Sequence, residues 1–143
     1  MTDRRLVEEH VRSFVRAFVD PTAWLALLVG RNTRAGRQRF RALLRSPLPL
    51  VDARTVSVAD RDERFAVRLL ERLGAPSTCV LVKDGLVEDE TTTLGSAMHR
   101  AQLSGEGALI SCIPGRLAYL QTADGRRTIL YRQCRSGRAG PPS

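Results

Sequence analysis

The sequence predicts an α+β fold in which a helical N-terminal half packs on a small, mainly antiparallel sheet. Three short apolar runs in the last third of the chain, at 108–113, 117–122 and 128–131, are separated by Pro114-Gly115 and Asp124-Gly125. Both dipeptides favour tight reversals, because proline presets φ and glycine accepts a positive φ. The runs therefore predict an antiparallel meander. Apolar residues at helical spacing upstream supply the cover that an apolar sheet face requires.

Two amphipathic patterns open the chain. The first predicted helix places five apolar residues on one stripe, at Val7, Val11, Phe14, Val15 and Phe18. It ends before Asp20-Pro21, and Asp20 then caps a second helix that Gly30 ends. The body of this second helix, AWLALLV, is apolar nearly all round, which predicts a central position with Trp24 as a core anchor.

Residues 31–45 are the most unusual segment by charge, since they contain six arginines and no acid. A helix here aligns four of them at i, i+3, i+7 and i+11, a set that we call the arginine ridge: Arg34, Arg37, Arg41 and Arg45. We expect this ridge to be exposed, with Phe40, Leu43 and Leu44 facing inward. Like charges so spaced repel by about 0.2–0.5 kcal/mol per pair. Either an anionic ligand or the protein's own acids, chiefly those in 52–71, offset that repulsion, and the sequence leaves both open.

The middle of the chain adds a helix, a strand and a second, shorter helix. Asp60 with Glu63 forms a capping box for the helix, whose predicted buried stripe is Phe65, Ala66, Leu69, Leu70 and Leu73. The apolar run at 78–83 predicts an interior strand. Thr93 caps the short helix. Residues 1–134 are predicted to form one domain, and 135–143 a disordered tail with too little apolar content to pack.

Composition excludes several classes of protein. The three cysteines, Cys79, Cys112 and Cys134, lack paired spacing, so we expect no disulfide framework, no metal site and no cofactor. No apolar run approaches the roughly 20 residues of a membrane span, and the N-terminus lacks a signal-peptide core. We therefore expect a cytoplasmic protein. The formal net charge of +8 comes almost entirely from arginine, since the chain has one lysine, Lys83.

Candidate catalytic groups are few. Cys112 with His99 could form a thiol–imidazole pair, oriented by an acid of the cluster Glu88-Asp89-Glu90. That cluster could also supply general acid–base chemistry, although adjacent acids in a polar loop are more often a solvated turn. Buried strand cysteines are commonly inert, so both enzymatic interpretations rank low.

Arg116 follows Pro114-Gly115 at the tip of a predicted turn. There a guanidinium and backbone N–H groups could converge on an anion. The equally weighted alternative is a charge that protects an exposed sheet edge from aggregation.

Two segments of the chain are GAPSTCVLV at 74–82 and ISCIPGRLAYL at 110–120, of which the second is the more specific. Both resemble segments of a family of small bacterial proteins with no established activity. The resemblance implies that the similarity extends over most of the chain, including the helical N-terminal half, but it carries over no functional residue.

Taken together, the residues favour a non-enzymatic binding module for an anionic partner, either a nucleic acid backbone or an acidic protein. The predicted binding residues are Arg34, Arg37, Arg41, Arg45 and Arg116. The alternative is a small regulatory or inhibitory protein that docks on another protein. A small enzyme using Cys112 and His99, or the acidic cluster, ranks last, and the sequence says nothing of oligomeric state.

Overall fold

The structure, a computed structural model, describes residues 3–50, 54–57, 63–86 and 88–132. The helices are α1 (Arg4–Phe18), α2 (Trp24–Leu28), α3 (Arg34–Leu43), α4 (Glu63–Arg72) and α5 (Leu94–Ser104). The strands are β1 (Arg54–Ser57), β2 (Thr78–Lys83), β3 (Glu90–Thr93), β4 (Ala108–Ile113), β5 (Leu117–Gln121) and β6 (Arg127–Tyr131). The predicted tail, 135–143, and Cys134 lie outside the described residues.

The strands form one antiparallel sheet in the order β1-β6-β5-β4-β2-β3. The predicted α+β class is confirmed. β4, β5 and β6 are the predicted meander, and the reversals between them place Gly115 at φ 71° and Gly125 at φ 95°. The prediction did not include β3, because its sequence, ETTT, is too polar to signal a strand. This strand lies at the edge of the sheet and pairs only with β2.

Helices cover both faces of the sheet. Val80, Val82 and Leu109 pack with α1, α2 and α3 on one face. Leu81 and Ile110 pack with α4 and α5 on the other. This arrangement extends the prediction, which required cover for one apolar face. The nearly continuous apolar runs of β2, β4 and β5 are the cause, since a strand buried on both faces loses its polar alternation.

α1 begins at its N-cap, Asp3, and its predicted stripe lies in the core. The predicted central position of the second helix is wrong. After a 3-10 turn at Pro21–Ala23, α2 has five residues, of which only Leu27 is buried, and Leu25 is 78% exposed. Such a short helix lies at the rim of the core, where it cannot bury a full apolar circumference. Trp24 is half-buried, and its Nε1 donates to the Val19 carbonyl at 2.7 Å.

α3 begins against the turn that follows α2. Gly30 has φ 76°. A Cβ atom at position 36 would lie only 1.8 Å from the carbonyl oxygen of Gly30. Only glycine at position 36 permits this approach, which positions the first turn of α3 and the arginines that follow.

We predict that Gly36→Ala lowers the free energy of unfolding by about 1–3 kcal/mol, because the added methyl group forces backbone apart. The matched change Gly95→Ala is also in a helix but meets no atom within 4 Å. It should raise stability by up to about 1 kcal/mol through helix propensity. Urea unfolding followed by circular dichroism measures both. Equal effects of the two substitutions would show that the contact between Gly30 and Gly36 is not present.

Candidate functional site

The arginine ridge is not a single exposed face, so this prediction is wrong. Arg34 and Arg45 are exposed, but Arg37 and Arg41 are only 7% and 2% exposed. The buried side of α3 is formed by Gly36, Arg37, Phe40 and Arg41. A hydrophobic pattern misses this side because it counts arginine as a surface residue, whereas arginine can be buried when carboxylates pair with it.

Asp89 is the centre of a buried cluster of charges. Its Oδ1 accepts from Arg41 Nη1 at 2.7 Å, and its Oδ2 accepts from Arg31 Nη2 at 3.1 Å. The side chains of all three residues are at most 3% exposed. Arg31 also donates to Glu8 on α1 at 2.6 Å, and its guanidinium lies 5.0 Å from the centre of the Phe40 ring. The cluster therefore joins α1, α3 and the loop between β2 and β3.

Glu88, the neighbour of Asp89, is surrounded more loosely by guanidiniums. Arg4 Nη2, Arg34 Nε and Arg37 Nε lie 3.7, 3.9 and 3.6 Å from its carboxylate oxygens. These separations are longer than hydrogen bonds, so the attraction is Coulombic, and solvent screens it at the exposed side chains of Arg4, Arg34 and Glu88.

Two further acids each hold one arginine. Glu90 pairs with Arg100 at 2.7 and 3.2 Å, and these hydrogen bonds lower the pKa of Glu90. Arg45 donates to Asp84 at 2.6 Å, which raises the pKa of Arg45.

Carboxylates of the protein itself therefore offset the repulsion within the arginine ridge. This was one of the two alternatives that the sequence left open, the other being an anionic ligand. These acids are Asp84, Glu88 and Asp89, whereas the prediction named 52–71 as the main source. Of that segment, Asp52, Asp60 and Asp62 lie outside the described residues, and Glu63 contacts His99. Binding of an anion by the ridge stays a prediction, but Arg41 is already committed to a buried carboxylate.

The structure does not bring Cys112 and His99 together. Cys112 is buried between the sheet and α4–α5, where burial raises its pKa, and burial raises the pKa of nearby Cys79 to about 12. His99 is exposed on α5, with its Nδ1 3.2 Å from Glu63 Oε2. A protonated thiol without a base beside it is a poor nucleophile.

His10 is buried although it lies among polar residues of α1. Its Nδ1 lies 2.7 Å from Ser111 Oγ, and burial lowers its pKa. Ser111 faces the side of the sheet opposite to Cys112.

Arg116 lies in the turn between β4 and β5, which are both interior strands, so it does not protect a sheet edge. Its backbone N–H donates to the Ile113 carbonyl at 3.0 Å and is therefore not directed at an anion. A Cβ on the adjacent Gly115 would lie 3.5 Å from Ser13, which places this turn against α1.

Sequence reasoning missed the outer side of α4. Phe65, predicted to be buried, is 47% exposed, and with Arg68, Leu69 and Arg72 it lines a groove of about 260 Å³. We call these four residues the α4 face. Arg68 lines a second groove too, which has a volume of about 300 Å³ and is also lined by Gly95. Among residues 3–50, 63–86 and 88–132, neither Arg68 nor Arg72 has an ion pair. The surface is therefore apolar and positively charged.

The part of the chain that the structure describes contains no group of acidic, histidine and cysteine side chains arranged to hold a metal ion. None of the described helices is both long enough and apolar enough to span a bilayer. No family model, curated protein or solved structure matches the chain. The resemblance carried by residues 110–120 accordingly stays a prediction.

We predict that Asp89→Asn lowers the free energy of unfolding by about 3–5 kcal/mol, because it removes the buried carboxylate that two buried guanidiniums share, although Arg31 keeps Glu8 as a partner. Glu88→Gln, the matched change one residue earlier, should cost less than about 1 kcal/mol, since the Glu88 pairs are long and solvent-screened. Urea unfolding with linear extrapolation compares the two variants. A similar loss from both would contradict the central role of Asp89.

We also predict that Cys79 and Cys112 resist thiol reagents in the native protein. With pKa values raised by burial, almost no thiolate is present at about pH 8, and the sulfurs are covered. The measurement is the labelling rate of Cys134→Ser, compared with the same protein in denaturant. Native labelling as fast as that in denaturant would show an accessible thiol and revive the cysteine hypothesis.

Proposed function

We propose that the protein is a non-enzymatic binding module for an acidic protein segment, which it holds on the α4 face. The observation that carries the proposal is the exposure of Phe65 beside Arg68 and Arg72, two arginines that have no ion pair within the described residues. By contrast, all four arginines of the arginine ridge contact carboxylates of the same chain.

The chemistry of the α4 face suits a protein partner. Aromatic residues and arginine are enriched at the centre of protein–protein interfaces, where they contribute most of the affinity. The arginine stems cover apolar surface, while their guanidiniums can take carboxylates through paired hydrogen bonds.

Spacing indicates the form of the partner. The α4 face uses positions i, i+3, i+4 and i+7, so it extends about 10 Å along the helix axis. An amphipathic helix that repeats a leucine and a neighbouring glutamate once per turn would match this face. Its leucines would pack against Phe65 and Leu69, and its glutamates would pair with Arg68 and Arg72.

A nucleic acid partner is supported less well. Tyrosine side chains can stack on bases, but Tyr119, one of the two tyrosines in the chain, is fully buried and cannot do so. The ridge arginines, which would have contacted phosphates, already lie beside carboxylates. The aromatic residue of α3, Phe40, is buried, so the arginine ridge offers no stacking group and would give only weak, salt-dependent binding.

We predict that a fluorescent amphipathic peptide of leucine and glutamate binds the full-length protein in about 50 mM salt and dissociates as salt is raised. The double variant Arg68→Ala/Arg72→Ala should weaken binding at least about tenfold, and Phe65→Ala should weaken it by a similar factor. The matched control, Arg5→Ala/Arg16→Ala, removes two exposed arginines from α1 and should leave affinity within about twofold. Fluorescence anisotropy supplies the affinities.

Two companion probes separate the alternatives. A peptide with the same glutamates but serine in place of leucine should bind at least about tenfold more weakly, because it cannot cover Phe65. Single-stranded DNA should bind more weakly than the amphipathic peptide. The proposal fails if Arg68→Ala/Arg72→Ala and Arg5→Ala/Arg16→Ala weaken binding of the amphipathic peptide by the same factor. It also fails if the wild-type protein binds single-stranded DNA more tightly than the peptide.

A further inference from the structure

A small cavity between α1, α3 and the loop before β3 points to a second binding site. It has a volume of about 150 Å³ and is lined by Arg4, Val7, Arg37, Glu88, Asp89 and Glu90. At about 30 Å³ for each water molecule, this volume corresponds to about five waters, which is enough for one phosphate-sized group. The cavity belongs to the helical layer opposite α4, so it is independent of the α4 face.

The buried guanidinium of Arg37 is incompletely bonded. Its Nη1 donates to the Arg31 carbonyl at 3.2 Å, which orients the group, but its Nε is buried without a hydrogen-bond partner. The nearest carboxylate oxygen, on Glu88, lies 3.6 Å from this Nε. A buried donor without a partner is costly, and an oxygen that approached more closely would remove that cost.

The carboxylates at the cavity already have guanidinium partners. Three carboxylates, those of Glu8, Glu88 and Asp89, contact six different guanidiniums, which belong to Arg4, Arg12, Arg31, Arg34, Arg37 and Arg41. Glu90, which also lines the cavity, has Arg100 as its own partner. The lining itself holds three carboxylates and two guanidiniums, so an anion is favoured there only when Glu88 moves out and leaves its place among Arg4, Arg34 and Arg37.

We propose that this cavity binds a single small oxyanion, and that the Glu88 carboxylate is its built-in competitor. Glu88 stands where such an anion would be, among three guanidiniums at distances too long for hydrogen bonds. Its side chain is 38% exposed, so rotation into solvent releases the position without opening the core. Asp89 stays behind, held by Arg31 and Arg41.

The competitor sets the affinity. If the Glu88 carboxylate occupied the site for about nine tenths of the time, the site would be open for about one tenth of the time. Its apparent affinity for an external anion would then be about one tenth of the intrinsic affinity. Removing the charge of Glu88 should therefore strengthen anion binding, whereas removing a carboxylate elsewhere should not. A group of phosphate or carboxylate type on a larger ligand would share this chemistry.

The test is titration of inorganic phosphate, and separately of acetate, into wild-type protein and Glu88→Gln at constant ionic strength. The readouts are calorimetry and the NMR signal of the Arg37 side-chain Nε–H. Glu88→Gln should bind phosphate at least about tenfold more tightly than wild type, with a shift of the Arg37 signal. Acetate should bind in the same place but more weakly, because it carries less charge.

Two controls keep the test decisive. Glu71→Gln removes one exposed carboxylate from α4 and should leave phosphate affinity unchanged within about twofold. Adding Arg4→Ala and Arg34→Ala, both exposed positions, to Glu88→Gln should reverse the gain at least about tenfold. Equal affinity of Glu88→Gln and wild type, or an equal gain from Glu71→Gln, overturns the proposal. Because the α4 face takes no part, loss of peptide binding there leaves this result unaffected.

Discussion

The buried pairing of Asp89 with Arg31 and Arg41 is the interaction on which the helical layer depends. A charge taken out of water is tolerated only when an opposite charge and hydrogen bonds replace its hydration. Arg31 precedes α3, Arg41 lies within it, and Asp89 comes just before β3, so the three are adjacent only when α3 lies over that end of the sheet. Glu8 extends the requirement to α1. In this layer, apolar packing holds the helices against the sheet, and the buried ion cluster fixes where α3 lies.

This constraint changes the meaning of the arginine excess. As a pattern in the sequence, the arginines of α3 look like a surface prepared for a negative partner. In the fold, Asp84, Glu88 and Asp89 contact the arginine ridge and Glu8 contacts Arg31, and we propose binding at two places. One is the α4 face, where Phe65 is exposed beside Arg68 and Arg72. The other is the cavity at Glu88, where three guanidiniums surround one carboxylate. The two proposed binding surfaces lie on opposite faces of the sheet.

The sequence predicts the meander well, because its turn dipeptides and strand alternation are local signals. It fails where long-range pairing overrides local pattern. Arg37, Arg41 and His10 contradict the rule that polar residues face water, since their partners, at Arg31, Asp89 and Ser111, lie 6, 48 and 101 positions away. Leu25 and Phe65 fail in the opposite direction, since an apolar residue on a short or wide-striped helix need not reach the core. No local signal distinguishes these cases.

The most direct test of the central claim is a double-mutant cycle between Asp89 and Arg41, using Asp89→Asn, Arg41→Met and the combination. Methionine keeps much of the arginine stem without its charge. Each single variant therefore removes one charge of the Asp89–Arg41 pair and leaves the other buried, whereas the double variant removes both. If the cluster positions α3 as described, the coupling free energy from urea unfolding is about 2 kcal/mol or more. Additivity within about 0.5 kcal/mol would mean that the two groups do not meet in the folded protein, and the account of the helical layer would be wrong.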